Sequence, residues 1–465
     1  MRRRALGWVP LAAAAVTLGF LLLPIAAIFV RTGPGALLDQ LSNPVVQDAF
    51  VVTLKTSGVA QALILLLGTP TAYLLATRRF RGRPLAVVLV ELPLVLPPAV
   101  AGLGLFAAFG RMGLLGSTLD AFGVSIPFTQ TAVTLAVAYV ASPLYIRQAM
   151  ASFEALDPTW LDASRTLGAT EARTFTRIAI PAAGPGLLAG LALAFLALPI
   201  VGIFVHTSPG NLLDQLSNPV VRDAFVVSIK TSAFAQVLIL LLGTPTAFLL
   251  ATRRFPGHSL AVTLVELPLV LPPAVAGIGL LAAFGHTTGL LHTSIPFTQT
   301  AVVFAVVFVA SPLYIRQAIA AFEAVDPNLV AASRTLGAGP GRTFFRVVLP
   351  LARNGLAAGE ALAFARGLGE FGATIMFAGS LQGVTQTLSL AIYQEFDLDF
   401  DSALAISALL VLVSGILLVF FLLLDLTNRD AMRILLLVPL RRSFRKLTSS
   451  SPMRSAALTS SSSWA

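Results

Sequence analysis

The sequence predicts an all-α integral membrane protein with about ten transmembrane helices. Of the 465 residues, 56% are hydrophobic and only 11% are charged, whereas a water-soluble domain carries about 25% charged residues. Apolar runs such as residues 16–30 and 406–424 approach or reach the roughly 20 residues that cross a bilayer as a helix. These runs are continuous, whereas the strands of a membrane β-barrel alternate apolar and polar residues.

Apolar runs that are bounded by Pro, Gly and charged residues give the ten candidate spans. They lie near residues 8–30, 50–76, 84–109, 129–147, 186–205, 225–251, 259–284, 298–316, 354–378 and 403–425.

A tandem repeat organises the chain. LDQLSNPVVQDAFVV at 38–52 returns as LDQLSNPVVRDAFVV at 213–227, and SPLYIRQA at 142–149 returns at 311–318. Each copy holds an even number of spans before the next begins, so the copies are predicted to be parallel rather than inverted. We divide the chain into a truncated first repeat at 1–198, a complete second repeat at 199–427 and a basic, Ser-rich tail at 428–465.

The fifth candidate span matches two different parts of the repeat. GLLAGLALAF at 186–195 resembles GLAAGEALAF at 355–364, which places it at the end of a copy. IVGIFVHTSPG, which follows from residue 200, resembles the IAAIFVRTGPG that ends the first span. The sequence therefore assigns this span both to the end of the first repeat and to the start of the second.

The distribution of charge predicts the orientation in the membrane. The chain carries a net charge of +10. With the N-terminus in the cytoplasm, the Arg-rich stretches 76–83, 147–180 and 316–353 and the C-terminal tail fall on the same side, as the positive-inside rule requires. We expect a multi-pass protein of the cell (inner or cytoplasmic) membrane, in contact with membrane lipid and with both termini cytoplasmic. No zinc pattern or aromatic-rich basic motif indicates nucleic acid as a partner.

Two long polar loops, 153–181 and 322–350, carry the most specific signal. In each, Asp-Pro can start a helix with Pro at the first position, a Gly interrupts the helix, and a second helical stretch runs to a Pro. Their apolar content is too low to span a membrane. We predict a helix–turn–helix that lies against the membrane.

These loops resemble the "EAA" loop in permease subunits of ABC importers. The matching positions are Asp162, Ala163, Ser164, Gly168 and Pro181 in the first copy and Ala331, Ala332, Ser333, Gly337 and Pro350 in the second. The resemblance implies that each loop forms a coupling helix that docks on a cytoplasmic ABC ATPase subunit. Ala331 departs from the pattern, since it lacks the acidic side chain.

A narrower resemblance rests on LPLVLPPAVAG and on GEFGATIMFAGSLQGVTQTLSLAIY at 369–393. Both are similar to permeases of the molybdate/tungstate branch, with sulfate permeases next. The resemblance implies a type I ABC importer permease fold in tandem, with the first copy incomplete because it lacks GEFGAT and the last span. It also implies transport of an oxyanion, namely molybdate or tungstate, and an extracytoplasmic oxyanion-binding protein as a partner. Whether a second permease chain is also a partner is left open by the sequence.

We expect no cofactor and no enzymatic activity in this chain. It has no GxxxxGK[ST] phosphate-binding loop, so ATP is expected on a separate subunit. A sulfate-type permease, a secondary transporter driven by an ion gradient, and a membrane enzyme are the alternatives. Parallel repeats permit the second, while no HExxH, GxSxG or Cys/His pattern supports the third.

ELPLVLPPAVAG occurs twice, at 91–102 and 266–277. Its prolines remove backbone donors and break a helix, and irregular backbone at membrane depth is tolerated where it is buried or lines a wet cavity. Either a gate or a simple packing kink satisfies this pattern. The gate candidates are Pro97, Pro98, Pro272 and Pro273.

Three acidic residues fall in apolar surroundings: Glu91, Glu266 and Glu370. Ionisable groups inside a membrane are functional candidates, but a carboxylate repels an oxyanion, so pairing with a nearby Arg is an equal alternative. Gly369, Gly372 and Thr374 either allow close approach of helices or offer neutral donors to an anion.

Overall fold

The computed structural model describes residues 2–78, 80–154, 180–287 and 289–416, all of which belong to one compact unit, Met1–Leu418. Its regular structure is helical throughout these residues, which confirms the predicted class. In chain order the helices are α1 Arg2–Arg31, α2 Pro34–Leu41, α3 Pro44–Thr77, α4 Arg83–Val95, α5 Pro98–Phe109, α6 Gly116–Ala121, α7 Gln130–Glu154, α8 Ile180–His206, α9 Pro209–Ser217, α10 Pro219–Thr252, α11 His258–Val270, α12 Pro273–Phe284, α13 Gln299–Glu323, α14 Pro327–Thr335, α15 Pro340–Thr343, α16 Leu349–Leu368, α17 Gly372–Ala378, α18 Leu388–Leu398 and α19 Phe400–Ile416.

Several helices in this part of the chain are long and apolar enough to cross a bilayer. Four qualify individually, and two bent pairs, α4 with α5 and α11 with α12, raise the number to six if each pair is one span. Two shorter apolar helices, Leu191–His206 and Phe400–Ile416, lie in the fifth and tenth predicted spans. Every predicted span overlaps a helix or a broken pair, while the total of ten remains a prediction.

The repeated LDQLSNP sequence is a helix-start signal. Asn43 and Asn218 cap α3 and α10, because their side chains accept hydrogen bonds from the backbone N–H groups of Val45 (3.0 Å) and Val220 (2.9 Å). Proline occupies the first position of each helix, where its missing N–H costs nothing.

The first spans are exchanged between the two repeats. α1 packs on α10 and α12 of the second repeat, and α8 packs on α3 and α5 of the first. The two contacts are equivalent: a Cβ atom added to Gly104 would lie 2.8 Å from the carbonyl oxygen of Pro199, and one added to Gly279 would lie 2.8 Å from that of Pro24. The fifth span therefore packs as the first span of the second repeat. The predicted boundary at 198/199 falls inside α8.

A second contact between the repeats buries an apolar cluster. Leu96, Val100 and Leu103 of the first repeat are buried together with residues of α18 and α19. The ring of Phe106 packs edge-on against the rings of Phe396 and Phe400, with centroids 5.6 and 5.4 Å apart. The two repeats thus pair within a single chain.

The first repeat has an open face where the second repeat is complete. In the second repeat α16 packs on α13, and α17 packs on α12 and α13. Val302 of α13 is fully buried, whereas its counterpart in the first repeat, Val133 of α7, is 45% exposed. The difference is explained by the sequence prediction that the first repeat lacks a counterpart of GEFGAT, which begins α17.

The exchange of first spans predicts opposite effects of the same substitution at neighbouring glycines. Gly104→Ala and Gly279→Ala place a methyl group against a backbone carbonyl, and overpacking of this kind costs about 1–3 kcal/mol. Gly102→Ala meets no atom within 4 Å and should stabilise α5 by about 0.5–1 kcal/mol through helix propensity.

Thermal unfolding of the purified chain in detergent measures this difference. A lower Tm for the Gly104 and Gly279 variants, together with an unchanged or higher Tm for Gly102→Ala, is expected. Equal shifts at all three glycines would contradict the exchanged packing.

Candidate functional site

Each repeated proline sequence breaks a helix. Leu96 and Leu271 adopt extended backbone with ψ of 133° and 132°, as expected for residues that precede proline. The helix restarts at the second proline of each pair, after a bend of 114° in the first repeat and 112° in the second. Pro97 is buried, Pro273 is half-buried, and Pro98 and Pro272 are exposed.

Residues 369–372, which we call the bridge segment, lie against both breaks. A Cβ atom added to Gly369 would be 2.9 Å from Cα of Pro97, and one added to Gly372 would be 2.8 Å from Cβ of Pro273. Only residues without a side chain allow an approach this close. The structure therefore brings together the break of the first repeat, the break of the second and the GEFGAT sequence.

Glu370 is the buried charge of the bridge segment. Its side chain is 1% exposed and pairs with Arg366, with Nη1 2.7 Å from Oε2. Its other oxygen accepts a hydrogen bond of 2.7 Å from the backbone N–H of Ala373, near the start of α17. The carboxylate thus holds α16 and α17 in a fixed relation, which is the Arg pairing that the sequence left open.

Thr374 lies on α17 and is fully buried, and its hydroxyl has no hydrogen-bond partner among the protein groups. It is the neutral donor in GEFGAT that the sequence analysis selected. Its position one turn from Glu370 places it within the same packed region.

The other two acidic candidates also lie beside arginines. Oε1 of Glu266 is 3.6 Å from Nε of Arg316, a pair that is largely exposed and therefore weak. Glu91 and Arg147 line a small cavity of about 200 Å³ together with Glu154. The sequence analysis did not select these arginines, although a cation inside the repeated SPLYIRQA run was the available signal.

The second polar loop forms the predicted helix–turn–helix. The side chain of Asp326 caps α14 by accepting a hydrogen bond of 2.8 Å from the N–H of Asn328, and Pro327 is the first helical residue. Gly337 follows the helix with φ of +82°, a conformation that favours glycine. Ala331 and Ala332 are exposed, and the Ser333 hydroxyl lies 3.1 Å from that of Thr343.

The second helical stretch of this loop differs from the prediction. It does not end at Pro350, because a π-helical turn at Phe344–Val348 joins α15 to α16 and Pro350 sits in the first turn of α16. Leu336 is 87% exposed and Phe345 is 63% exposed. An apolar surface on a polar loop is typical of a docking site.

The first polar loop lies largely outside the described residues. Asp162, Ala163, Ser164 and Gly168 fall there, and Pro181 lies in the first turn of α8. Among the residues that the structure describes, no group of three or more His, Cys, Asp or Glu side chains is placed to hold a metal ion.

Sequence comparison identifies the class of this membrane protein. Residues 65–242 and 239–430 each match the family described as binding-protein-dependent transport system inner membrane component. Together the two matches cover most of the chain, so it belongs to this family.

Individual relatives are similar to about half of the chain. The molybdenum transport system permease protein ModB of Mycobacterium tuberculosis is 42% identical over 231 residues, which are 48% of this chain and 87% of the relative. ModB of Escherichia coli K12 is 40% identical over 178 residues, 37% of this chain and 78% of the relative. The probable transport system permease protein NifC of Clostridium pasteurianum is 36% identical over 251 residues, 52% and 86% respectively.

The buried and the exposed ion pair should differ in how much a Glu→Gln substitution lowers the free energy of unfolding. Glu370→Gln leaves Arg366 without its partner in a buried site, which costs about 3–5 kcal/mol. Glu266→Gln breaks an exposed pair and should cost no more than about 1 kcal/mol.

Chemical or thermal unfolding in detergent compares the two variants. The double variant Arg366→Met with Glu370→Met removes both charges and should recover much of the loss. A loss for Glu370→Gln no larger than that for Glu266→Gln would exclude a structural role for the buried pair.

Proposed function

We propose that this chain is the membrane-spanning permease of an ATP-driven ABC importer for molybdate or a closely related oxyanion such as tungstate. The observation that carries the proposal is the bridge segment: one sequence, GEFGAT, is packed against the broken third span of each repeat. The names of the two ModB relatives, at 40% and 42% identity, support molybdate as the substrate.

ATP is hydrolysed by a separate cytoplasmic subunit in this proposal, and an extracytoplasmic protein delivers the oxyanion. The loop that contains α14 is the docking site for the ATPase, and Leu336 and Phe345 supply its apolar contacts. Both chain termini lie in the cytoplasm, because this orientation places the Arg-rich loops on the cytoplasmic side.

α16 transmits the movement of the docked loop to the pore. It follows directly from α15 and the π-helical turn, and its other end leads into the bridge segment. Its 20 residues make a rod of about 30 Å. A shift of the loop therefore moves Gly369 against Pro97, where the absence of a side chain allows the surfaces to slide.

In the first repeat α8 has the role that α16 has in the second. Its polar loop precedes α8, and α8 carries Pro199 against Gly104 of the broken third span. Each loop is thus followed by a long helix that reaches a broken span.

The arginines beside Glu91 and Glu266 suit an anion path. Glu266 pairs with Arg316, and Glu91 shares a cavity with Arg147, so a nearby cation reduces the repulsion of a passing oxyanion by each carboxylate. Neutral donors suit transient contact, because strong binding would slow release. The hydroxyl of Thr374 is the candidate donor, and because it is buried here, it reaches the anion only when the bridge segment moves.

Docking of the ATPase is tested at two glycines of the same loop. Gly337→Asp places a side chain at φ of +82° and adds a charge to the docking surface. This substitution should abolish binding of the ATPase to this loop. Gly339→Asp adds the same charge at φ of −70°, with no atom within 4 Å, and should retain most of the capture.

The measurement is a pull-down of the candidate ATPase by the detergent-solubilised chain, followed by uptake of radiolabelled molybdate into proteoliposomes that hold both subunits, with the binding protein outside. We expect ATP-dependent uptake of molybdate that tungstate inhibits more strongly than sulfate does. Uptake that follows an imposed ion gradient without ATP would overturn the proposal.

A further inference from the structure

An apolar cavity of about 270 Å³, which we call the socket, lies between α5 and α7 of the first repeat. Its walls include Gly102, Phe106, Phe109, Phe128 and Val133, and none of its lining residues is charged or carries a polar side chain. The socket has no role in the transport path proposed above.

The second repeat shows that the same place is normally filled. The counterpart of Gly102 is Gly277, where an added Cβ would lie 2.6 Å from the carbonyl oxygen of Ala373 and 2.7 Å from Cβ of Met376. At Gly102 no atom lies within 4 Å of such a Cβ. α17 therefore occupies in the second repeat the space that is open in the first.

The phenylalanines around the two positions show the same difference. In the second repeat the ring of Phe284 lies 6.3 Å from that of Phe377, and Phe297 contacts the position of Gly379. Phe128, the counterpart of Phe297, is 90% exposed. The first repeat keeps an aromatic socket without the helix that fills it.

The surroundings decide which molecule enters the socket. An apolar cavity offers water no hydrogen-bond partners, and such cavities take up hydrocarbon instead. The socket is bounded by α5, which belongs to a bent pair long and apolar enough to span a membrane, and by α7, the counterpart of the span-length helix α13. It opens beside exposed Val133, so acyl chains are the hydrocarbon at hand.

A basic residue adds a preference for the headgroup. Arg111 is exposed and lies two residues beyond Phe109, at the end of α5 that faces away from the cytoplasm in the proposed orientation. The second repeat has His286 at this position. A guanidinium group at headgroup depth favours a phosphate of an anionic lipid.

We propose that the socket is a binding site for one acyl chain of an anionic phospholipid, with Arg111 at the headgroup. The site exists because the first repeat has no counterpart of α17. It does not depend on the identity of the transported anion.

Photocrosslinking of the full chain tests the proposal. The chain is reconstituted in nanodiscs of phosphatidylcholine that contain phosphatidylglycerol with a photoreactive group in one acyl chain, and adducts are mapped by mass spectrometry. Adducts should concentrate on the socket residues of the first repeat and be scarce on their counterparts in α12 and α13.

Gly102→Leu places a branched apolar side chain in the socket, and its Cβ meets no atom within 4 Å. It should reduce the socket adducts about tenfold, as expected if leucine replaces roughly two buried methylene groups of the lipid. Gly58→Leu is the matched control, because Gly58 is an exposed helix glycine with no atom within 4 Å, and it should leave the adducts unchanged.

Arg111→Gln should remove the preference for phosphatidylglycerol over a photoreactive phosphatidylcholine while retaining the adducts. Socket adducts that are equal in wild type and Gly102→Leu would show only bulk lipid at the surface and overturn the proposal. Protection of the socket from all lipid would also overturn it and would indicate a protein segment as the occupant.

Discussion

Contact between glycine and proline is the constraint on which this structure depends. A broken helix presents its backbone and its proline rings, and only a residue without a side chain can approach them closely. Four such contacts occur: Gly104 with Pro199, Gly279 with Pro24, Gly369 with Pro97, and Gly372 with Pro273. Three of them join different repeats. The broken span supplies the proline in two of the four contacts and the glycine in the other two, so the broken third spans take part in every one.

The incomplete first repeat makes the assembly asymmetric. The second repeat supplies the only bridge segment among the described residues, and that segment serves both broken spans. Because the first repeat has no bridge segment of its own, one face of α7 is exposed and an apolar cavity, the socket, lies beside α5. α8 belongs to both repeats. It follows the first polar loop, as the last helix of the first repeat, and it also packs as the first span of the second repeat.

Local features of this fold were predictable from the sequence. Asp-Pro predicted the start of α14, and the paired prolines predicted both helix breaks, since each of these signals acts within a few residues. The spans predicted near 50 and 225 begin later than α3 and α10, whose starts at Asn-Pro were missed. The membrane class followed from composition, and the family followed from the polar loops and GEFGAT.

Long-range features were not predictable in the same way. The sequence of 186–205 matched two parts of the repeat equally, and only packing on α3 and α5 decides between them. The contact of Gly369 with Pro97 joins residues far apart in the chain. Arg147 and Arg316 were overlooked because their importance comes from nearby glutamates: Arg316 pairs with Glu266, and Arg147 shares a cavity with Glu91. The socket was invisible because it results from residues that the first repeat does not have.

Pairing of the two repeats within one chain is the central claim, and disulfide formation tests it most directly. The chain contains no cysteine, so a pair can be introduced without background. Phe106→Cys with Phe396→Cys replaces two rings whose centroids are 5.6 Å apart. Leu281→Cys with Phe396→Cys is the matched pair, because Leu281 is the counterpart of Phe106 in the second repeat.

The account predicts that oxidation of the first pair gives a disulfide within one chain, with the mass of a monomer in denaturing gels, and that the second pair gives none. Efficient formation of a dimer through the second pair, with no internal disulfide in the first, would contradict the account, because the second repeat would then pair with its copy in another chain.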